Sequence, residues 1–122
     1  MLKELEGIFY LDHNIKLYIP STIDVDKTID TSSYVDLVSK KFASWFGGFT
    51  GGKAVKLKPT IGGWLDSNGE VVTEEVTIVE SYASPEAVAE HIGKVLALAN
   101  KIKRELKQEA ISLEYNNKLF LV

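Results

Sequence analysis

Val71-Val72-Thr73-Glu74-Glu75-Val76-Thr77-Ile78-Val79-Glu80-Ser81-Tyr82 runs directly into Ala83-Ser84-Pro85-Glu86-Ala87-Val88. The first half is dense in Val, Ile and Thr, the residues that fit a pleated, half-buried surface, and it predicts a strand. The second half is a helix start. Ser84 is placed to cap, Pro85 sits in the first turn where its missing N–H costs nothing, and Glu86 lies near the positive end of the helix dipole. From there Val88, Ile92, Val95, Leu96, Ala99, Ile102 and Leu106 recur at helical spacing and mark a buried face through Gln108. Lys101, Lys103, Arg104 and Lys107 crowd the C-terminal end, where cations are favoured.

Working outward, residues 110–115 and 118–122 flank Asn116-Asn117, which reads as a two-residue hairpin turn. On the other side, Asp66-Ser67-Asn68-Gly69 is a turn that sends the 71–82 strand back antiparallel to an earlier strand at residues 55–57. Pro59 cannot donate to a ladder and predicts an edge or a bulge, with Gly62-Gly63-Trp64-Leu65 extended beyond it. A first helix is framed by Thr31, Ser32 and Ser33 as caps, with Asp36 completing a capping box on Ser33, and by Gly47-Gly48 at its end. Its apolar stripe is Tyr34, Val35, Val38, Phe42, Trp45 and Phe46. Before it, residues 21–30 read as a loop, and residues 15–19 alternate apolar and polar up to Pro20 as a half-buried strand does. Ile8, Phe9, Tyr10 and Leu11 suggest another strand within residues 7–13, and Asp12-His13-Asn14 a turn.

The resulting order, strand–helix–strand–strand–helix–strand, is the split βαβ of α+β proteins. It predicts a ferredoxin-like βαββαβ antiparallel sheet with two helices on one face, a C-terminal hairpin strand, an N-terminal strand, and a single domain over residues 1–122. The totals fit: 122 residues, 45% hydrophobic and 25% charged, are those of one ordinary globular domain.

Composition excludes several chemistries. The absence of cysteine removes thiol catalysis, iron–sulfur clusters, thiolate zinc sites and a disulfide framework. Two histidines, His13 and His91, leave little for an imidazole metal site, and no metal or other cofactor is expected. Arg104 is the sole arginine among 14 basic residues, and the formal charge is −3, a poor endowment for gripping nucleic acid. Residues 1–7 are acidic without the apolar core of a signal peptide, and no stretch approaches 18 apolar residues, so the expected location is cytoplasmic with no membrane partner.

Some motifs fail on inspection. Gly47, Gly52 and Lys53 have phosphate-loop spacing, but Ala54 replaces the metal-binding Ser/Thr and the loop joins a helix to a strand, the reverse of the required order. It reads instead as a helix-to-strand connector whose lysine could meet an anion. Asp24, Asp26 and Asp30 resemble the start of a calcium loop, but Ile29 and Val35 occupy the positions that need Gly and an acid. The remaining constellation is Trp64, behind two glycines, with Tyr82, Lys53, Lys56 and Glu74, which could frame a small pocket for a stacked ring.

Phe46-Gly47-Gly48-Phe49-Thr50, Gly63-Trp64, Gly69, the run from Glu74 to Tyr82, and Gln108-Glu109-Ala110-Ile111 together give a resemblance. The chain is similar, from Ile15 to Val122, to a group of short bacterial, plasmid and phage proteins known only as domains of unknown function. The resemblance implies the same βαββαβ plan and a home in mobile elements, and it carries no catalytic residues. Residues 1–13 lie outside it.

These features point first to a non-enzymatic binding protein, a homodimer that sequesters a small anionic or nucleotide-like host signal or blocks a host defence protein. Trp64 and Tyr82 would stack, Lys53 and Arg104 would hold anionic groups, and Thr50 and Glu74 would hydrogen bond. One alternative is a small cofactor-free enzyme with Glu74 or Glu80 as general base and His91 or Tyr82 as its partner. Another is a structural homo-oligomeric module that uses the uncovered sheet face.

Overall fold

The computed structural model describes residues 2–24, 27–57, 68–70 and 73–122 and, at 53–57, 73 and 74, the backbone alone. In chain order the elements are β1 (His13–Pro20), β2 (Thr22–Ile23), β3 (Lys27–Thr28), α1 (Ser32–Phe46), β4 (Thr50–Leu57), β5 (Thr73–Ala83), α2 (Pro85–Glu105), β6 (Ser112–Tyr115) and β7 (Lys118–Leu121). Five strands form one antiparallel sheet in the order β4-β5-β1-β6-β7, with β2 and β3 a separate small hairpin. This is the α+β plan expected, and it makes β1 the central strand, paired with β5 on one side and β6 on the other.

Alternation along β1 sets the two faces. Ile15, Leu17 and Ile19 are fully buried and meet Val79 of β5 and Leu113 of β6. Val38 and Phe42 of α1 and Val95, Leu98, Ala99 and Ile102 of α2 pack onto that same side, so both helices cover one face. Phe42 meets Phe46 edge to face at 5.3 Å, the geometry that aromatic quadrupoles favour. Leu98 takes the buried place expected of Leu96, which is exposed.

The helix ends follow local chemistry. Ser84 Oγ accepts from the Ala87 N–H at 3.2 Å, and Gly47 closes α1 at φ +84, the left-handed conformation that glycine reaches without a Cβ penalty. At the start of α1 the expected Ser33–Asp36 box is absent because Ser33 already lies inside the helix. Asp30 Oδ1 accepts from the Ser32 N–H at 2.9 Å instead, while the Thr31 hydroxyl donates to the Pro20 carbonyl at 2.8 Å and ties α1 to β1.

Four further expectations are corrected. Residues 7–12 form no strand; the N-terminal segment holds only a 3-10 turn at Lys3–Leu5. His13 begins β1 rather than sitting in a turn, because it pairs in register with Ala83. The 21–30 loop contains the β2–β3 hairpin, which Asp24 N–H anchors on the Leu106 carbonyl at 2.9 Å. β4 begins at Thr50, so the glycine-rich stretch read as a connector is already sheet from that residue on. At the other end Asn116 and Asn117 both have positive φ, 48 and 67, the type I′ turn that matches the twist of a hairpin.

Candidate functional site

Asn14, Lys16 and Tyr18 are the residues of β1 that alternate with the buried Ile15, Leu17 and Ile19, so they stand on the face away from the helices. The antiparallel register places Glu80 of β5 opposite Lys16 on one side and Glu114 of β6 opposite it on the other. Directly opposed side chains lie close enough to interact. Lys16 Nζ lies 3.5 Å from Glu80 Oε2 and 3.2 Å from Glu114 Oε2. Asn14 Nδ2 donates to Glu80 Oε2 at 3.0 Å, and the Tyr18 hydroxyl donates to Glu114 Oε1 at 3.1 Å. Five side chains from three strands thus form one polar network, with two carboxylates against one ammonium and a net formal charge of −1.

A pocket of about 250 Å³ opens beside this network, lined by Lys16, Thr50, Gly51, Gly52, Ile78 and Glu80. Gly52 pairs with Ile78, and a Cβ built on it meets nothing within 4 Å, so glycine here leaves space that a side chain would enter.

The network perturbs its own titrations. Burial alone would lower the Lys16 pKa, but the hydrogen bond to Glu114 and the charges of Glu114 and Glu80 outweigh it and hold the ammonium above its usual 10.5. Burial, then the charge and hydrogen bond of Glu114, push the Tyr18 phenol above its usual 10.0. Both groups keep their protons more tightly folded than unfolded. Their stabilising contribution is therefore complete below the unfolded pKa values and fades as pH rises through the folded ones. The expected melting temperature is insensitive to these groups near neutrality and falls above about pH 10. Tyr18→Phe should shrink that alkaline fall, as thermal melts from pH 7 to 11.5 would measure.

The residues singled out from sequence divide sharply. Thr50 lines the pocket, and Glu80, named in the enzymatic alternative, is central to it. Tyr82 is 56% exposed, two residues from Glu80 along the same strand face and opposite Asn14, but it does not line the pocket. Arg104 is exposed in the last turn of α2, on the helical layer, so the structure does not bring it to the site. His91 is also on that layer. Its ring stacks on Trp45 at 5.9 Å and meets Phe46 edge-on, which separates it from Glu80 by the sheet itself and removes it as that residue's partner. Lys53 stands opposite Thr77 and Glu74 opposite Lys56 in the ladder; their side chains, and Trp64 altogether, lie outside the described residues.

Sequence reasoning missed Asn14, Lys16, Tyr18 and Glu114. A signal was present, because a strand placed first in a βαββαβ order becomes central and its polar positions must meet residues of two neighbours. The register that decides which residues meet could not be read from it. Among the described residues no three His, Asp or Glu side chains converge as a metal site, and no helix is long and apolar enough to cross a membrane.

No family model matches the chain. No curated protein matches it. Solved structures do share the fold. One is a phage SAM lyase in complex with S-methyl-5′-thioadenosine, 15% identical, with a TM-score of 0.62 over 94% of each chain. Another is a phage SAM lyase in its apo state, 14% identical, with a TM-score of 0.60 over 96% of this chain and 93% of the other. At that identity the likeness is one of fold. It nonetheless overturns the expectation of a non-enzymatic sequestering protein, because the structures that share this whole architecture are those of an enzyme.

Proposed function

We propose that this chain is a lyase acting on S-adenosylmethionine or a closely related adenosyl sulfonium, with its reaction centred on the pocket at Lys16 and Glu80. The observation that supports this most is the pocket itself, lined by the Lys16–Glu80 pair and backed by the net-negative network, on the open sheet face of a fold shared with a lyase that holds S-methyl-5′-thioadenosine.

Of the anionic or nucleotide-like ligand expected from sequence, this substrate class keeps the nucleotide-like part, and charge favours it over the anionic one. S-adenosylmethionine has a sulfonium, an ammonium and a carboxylate, and so one net positive charge. The pocket presents the Glu80 carboxylate and the Lys16 ammonium, and Glu114 behind Lys16 makes the surrounding network net negative, the inverse sign. Lys16 would face the substrate carboxylate and Glu80 its cationic end, with Asn14 fixing the Glu80 carboxylate from the far side. Release of a methylthio nucleoside breaks the bond between sulfur and the amino-acid side chain. The electron pair stays on sulfur, whose charge is lost, so the neutral nucleoside leaves a site built for a cation. The freed four-carbon fragment regains an electron pair from within itself: its own carboxylate oxygen forms a C–O bond to the carbon that sulfur leaves, closing a lactone with no proton to be placed. The pocket, at about 250 Å³, holds part of such a substrate, since small-molecule sites typically measure roughly 300–1,000 Å³. Tyr82, exposed on the same face, is available for the purine to stack against.

A chain of the phage and plasmid type would use this reaction to deplete a methyl donor on which host methylation-dependent defence draws. A homodimer is the proposed working state.

The purified protein incubated with S-adenosylmethionine should convert it to S-methyl-5′-thioadenosine, seen by chromatography, and should leave S-adenosylhomocysteine, which lacks the sulfonium charge, intact. No conversion at equimolar enzyme over several hours would overturn the proposal.

A further inference from the structure

We infer that the N-terminal arm, residues 2–12, docks on the free β7 edge of a second copy of this chain, adding a strand to its sheet. The arm presents Leu2, Leu5, Ile8, Phe9, Tyr10 and Leu11 to solvent, Phe9 at 83% exposure, and residues 8–12 belong to no helix or strand. At the far side of the sheet β7 pairs, among the described residues, only with β6 and exposes Leu119, Phe120 and Leu121. An exposed apolar edge of this kind is a template for another strand.

The edge is open in its backbone as well. Ile111 and Val122 exchange both N–H···O bonds, and the two-residue turn makes Tyr115 and Lys118 the closing pair. Alternation then directs the N–H groups of Lys118 and Phe120 toward β6 and those of Leu119 and Leu121 outward.

Reach decides who occupies the edge. The position outside β7 lies three strand spacings from β1, roughly 14 Å. Measured from His13, Leu11 can extend at most about 7 Å and Phe9 about 14 Å. Tyr10 and Leu11 therefore fall short of the β7 edge of their own chain and Phe9 only just meets it, so the apolar run 8–11 cannot lie along that edge as a unit, whereas the run of another copy can. The opposite edge, β4, is a poorer template, carrying Gly51, Gly52, Lys53 and Lys56. Charge agrees: the arm has Glu4, Glu6 and Asp12 against Lys3, and β7 opens with Lys118. In a reciprocal pair each copy contributes both an arm and an edge, on the order of 900 Å² of exposed apolar residues, against the roughly 800 Å² per partner of a standard stable interface.

Sedimentation equilibrium of the full chain between 1 and 100 µM should give a mass that is a multiple of 13.5 kDa. Phe9→Asp, at a residue with almost no contacts, should weaken association at least about 10-fold at unchanged far-UV circular dichroism. Leu119→Pro should do the same by deleting an outward N–H while sparing the β6–β7 bonds. Amide exchange supplies a readout that does not depend on the proline variant folding: Leu119 and Leu121 should be protected in the wild type and exchange freely in Phe9→Asp. A monomeric wild type at 100 µM, or an assembly that survives Phe9→Asp with both amides still protected, would overturn the inference.

Discussion

Glu80→Gln should lower kcat/KM for S-adenosylmethionine by about 100-fold and leave the fold intact. A charge pair about 4 Å apart is worth ~4 kcal/mol at an effective dielectric near 20. The Glu80 side chain is one-quarter exposed, so roughly two-thirds of that value, ~2.7 kcal/mol, is the expected loss, and 1.36 kcal/mol corresponds to each factor of ten. The amide keeps the shape of the carboxylate and can still accept from Asn14, so the change removes charge more than structure. Glu114→Gln is the informative control. Glu114 contacts Lys16 but does not line the pocket, so its loss should cost several-fold less. Steady-state kinetics at two ionic strengths checks both points. Equal effects of the two substitutions would mean that Glu80 acts only through Lys16.

Gly52→Val should disable the site by a different route. A Cβ at Gly52 meets nothing within 4 Å, and the position lies within a strand, so the isolated protein should accept valine at equal or higher melting temperature. Its branched side chain is stiff at χ1 and cannot swing clear of the pocket that Gly52 lines. Overpacking then falls on the bound state alone. At the usual ~1–3 kcal/mol for an ill-fitting insertion, binding of S-methyl-5′-thioadenosine should weaken roughly 5- to 150-fold. Calorimetric titration beside a thermal melt separates this from unfolding. A variant that binds as the wild type does would place the ligand elsewhere.

Much of this fold is legible in the sequence, and the reasons are local. Ser84-Pro85 announces α2, Gly47 ends α1, and Asn116-Asn117 closes the last hairpin, each by chemistry confined to a few adjacent residues. The strand order follows from the succession of elements. The candidate site is legible only in part, because its members are far apart in sequence: Lys16 meets Glu80 and Glu114 across distances that only register fixes. Thr50 and Glu80 could be named on residue type, and Tyr82 on its place at a strand end. His91 misled for a physical reason: a histidine at the margin of an apolar helix stripe is as well served by stacking on Trp45 as by any proton transfer. The 7–13 run misled because apolar composition alone cannot tell a strand in the sheet from an arm beside it.

The central placement of β1 carries one more consequence. Strands held on both sides, with a fully buried face beneath them, open to hydrogen exchange only through near-global unfolding. Lys16 rides on that strand, and its partners come from the two strands that clamp it. The proposed reaction centre is thus set in what should be the slowest-exchanging part of the molecule, and fraying of the arm, of the β2–β3 hairpin or of the outer edges should leave it untouched. The polar network around Lys16 and the last cooperative unit of the fold should therefore disappear together.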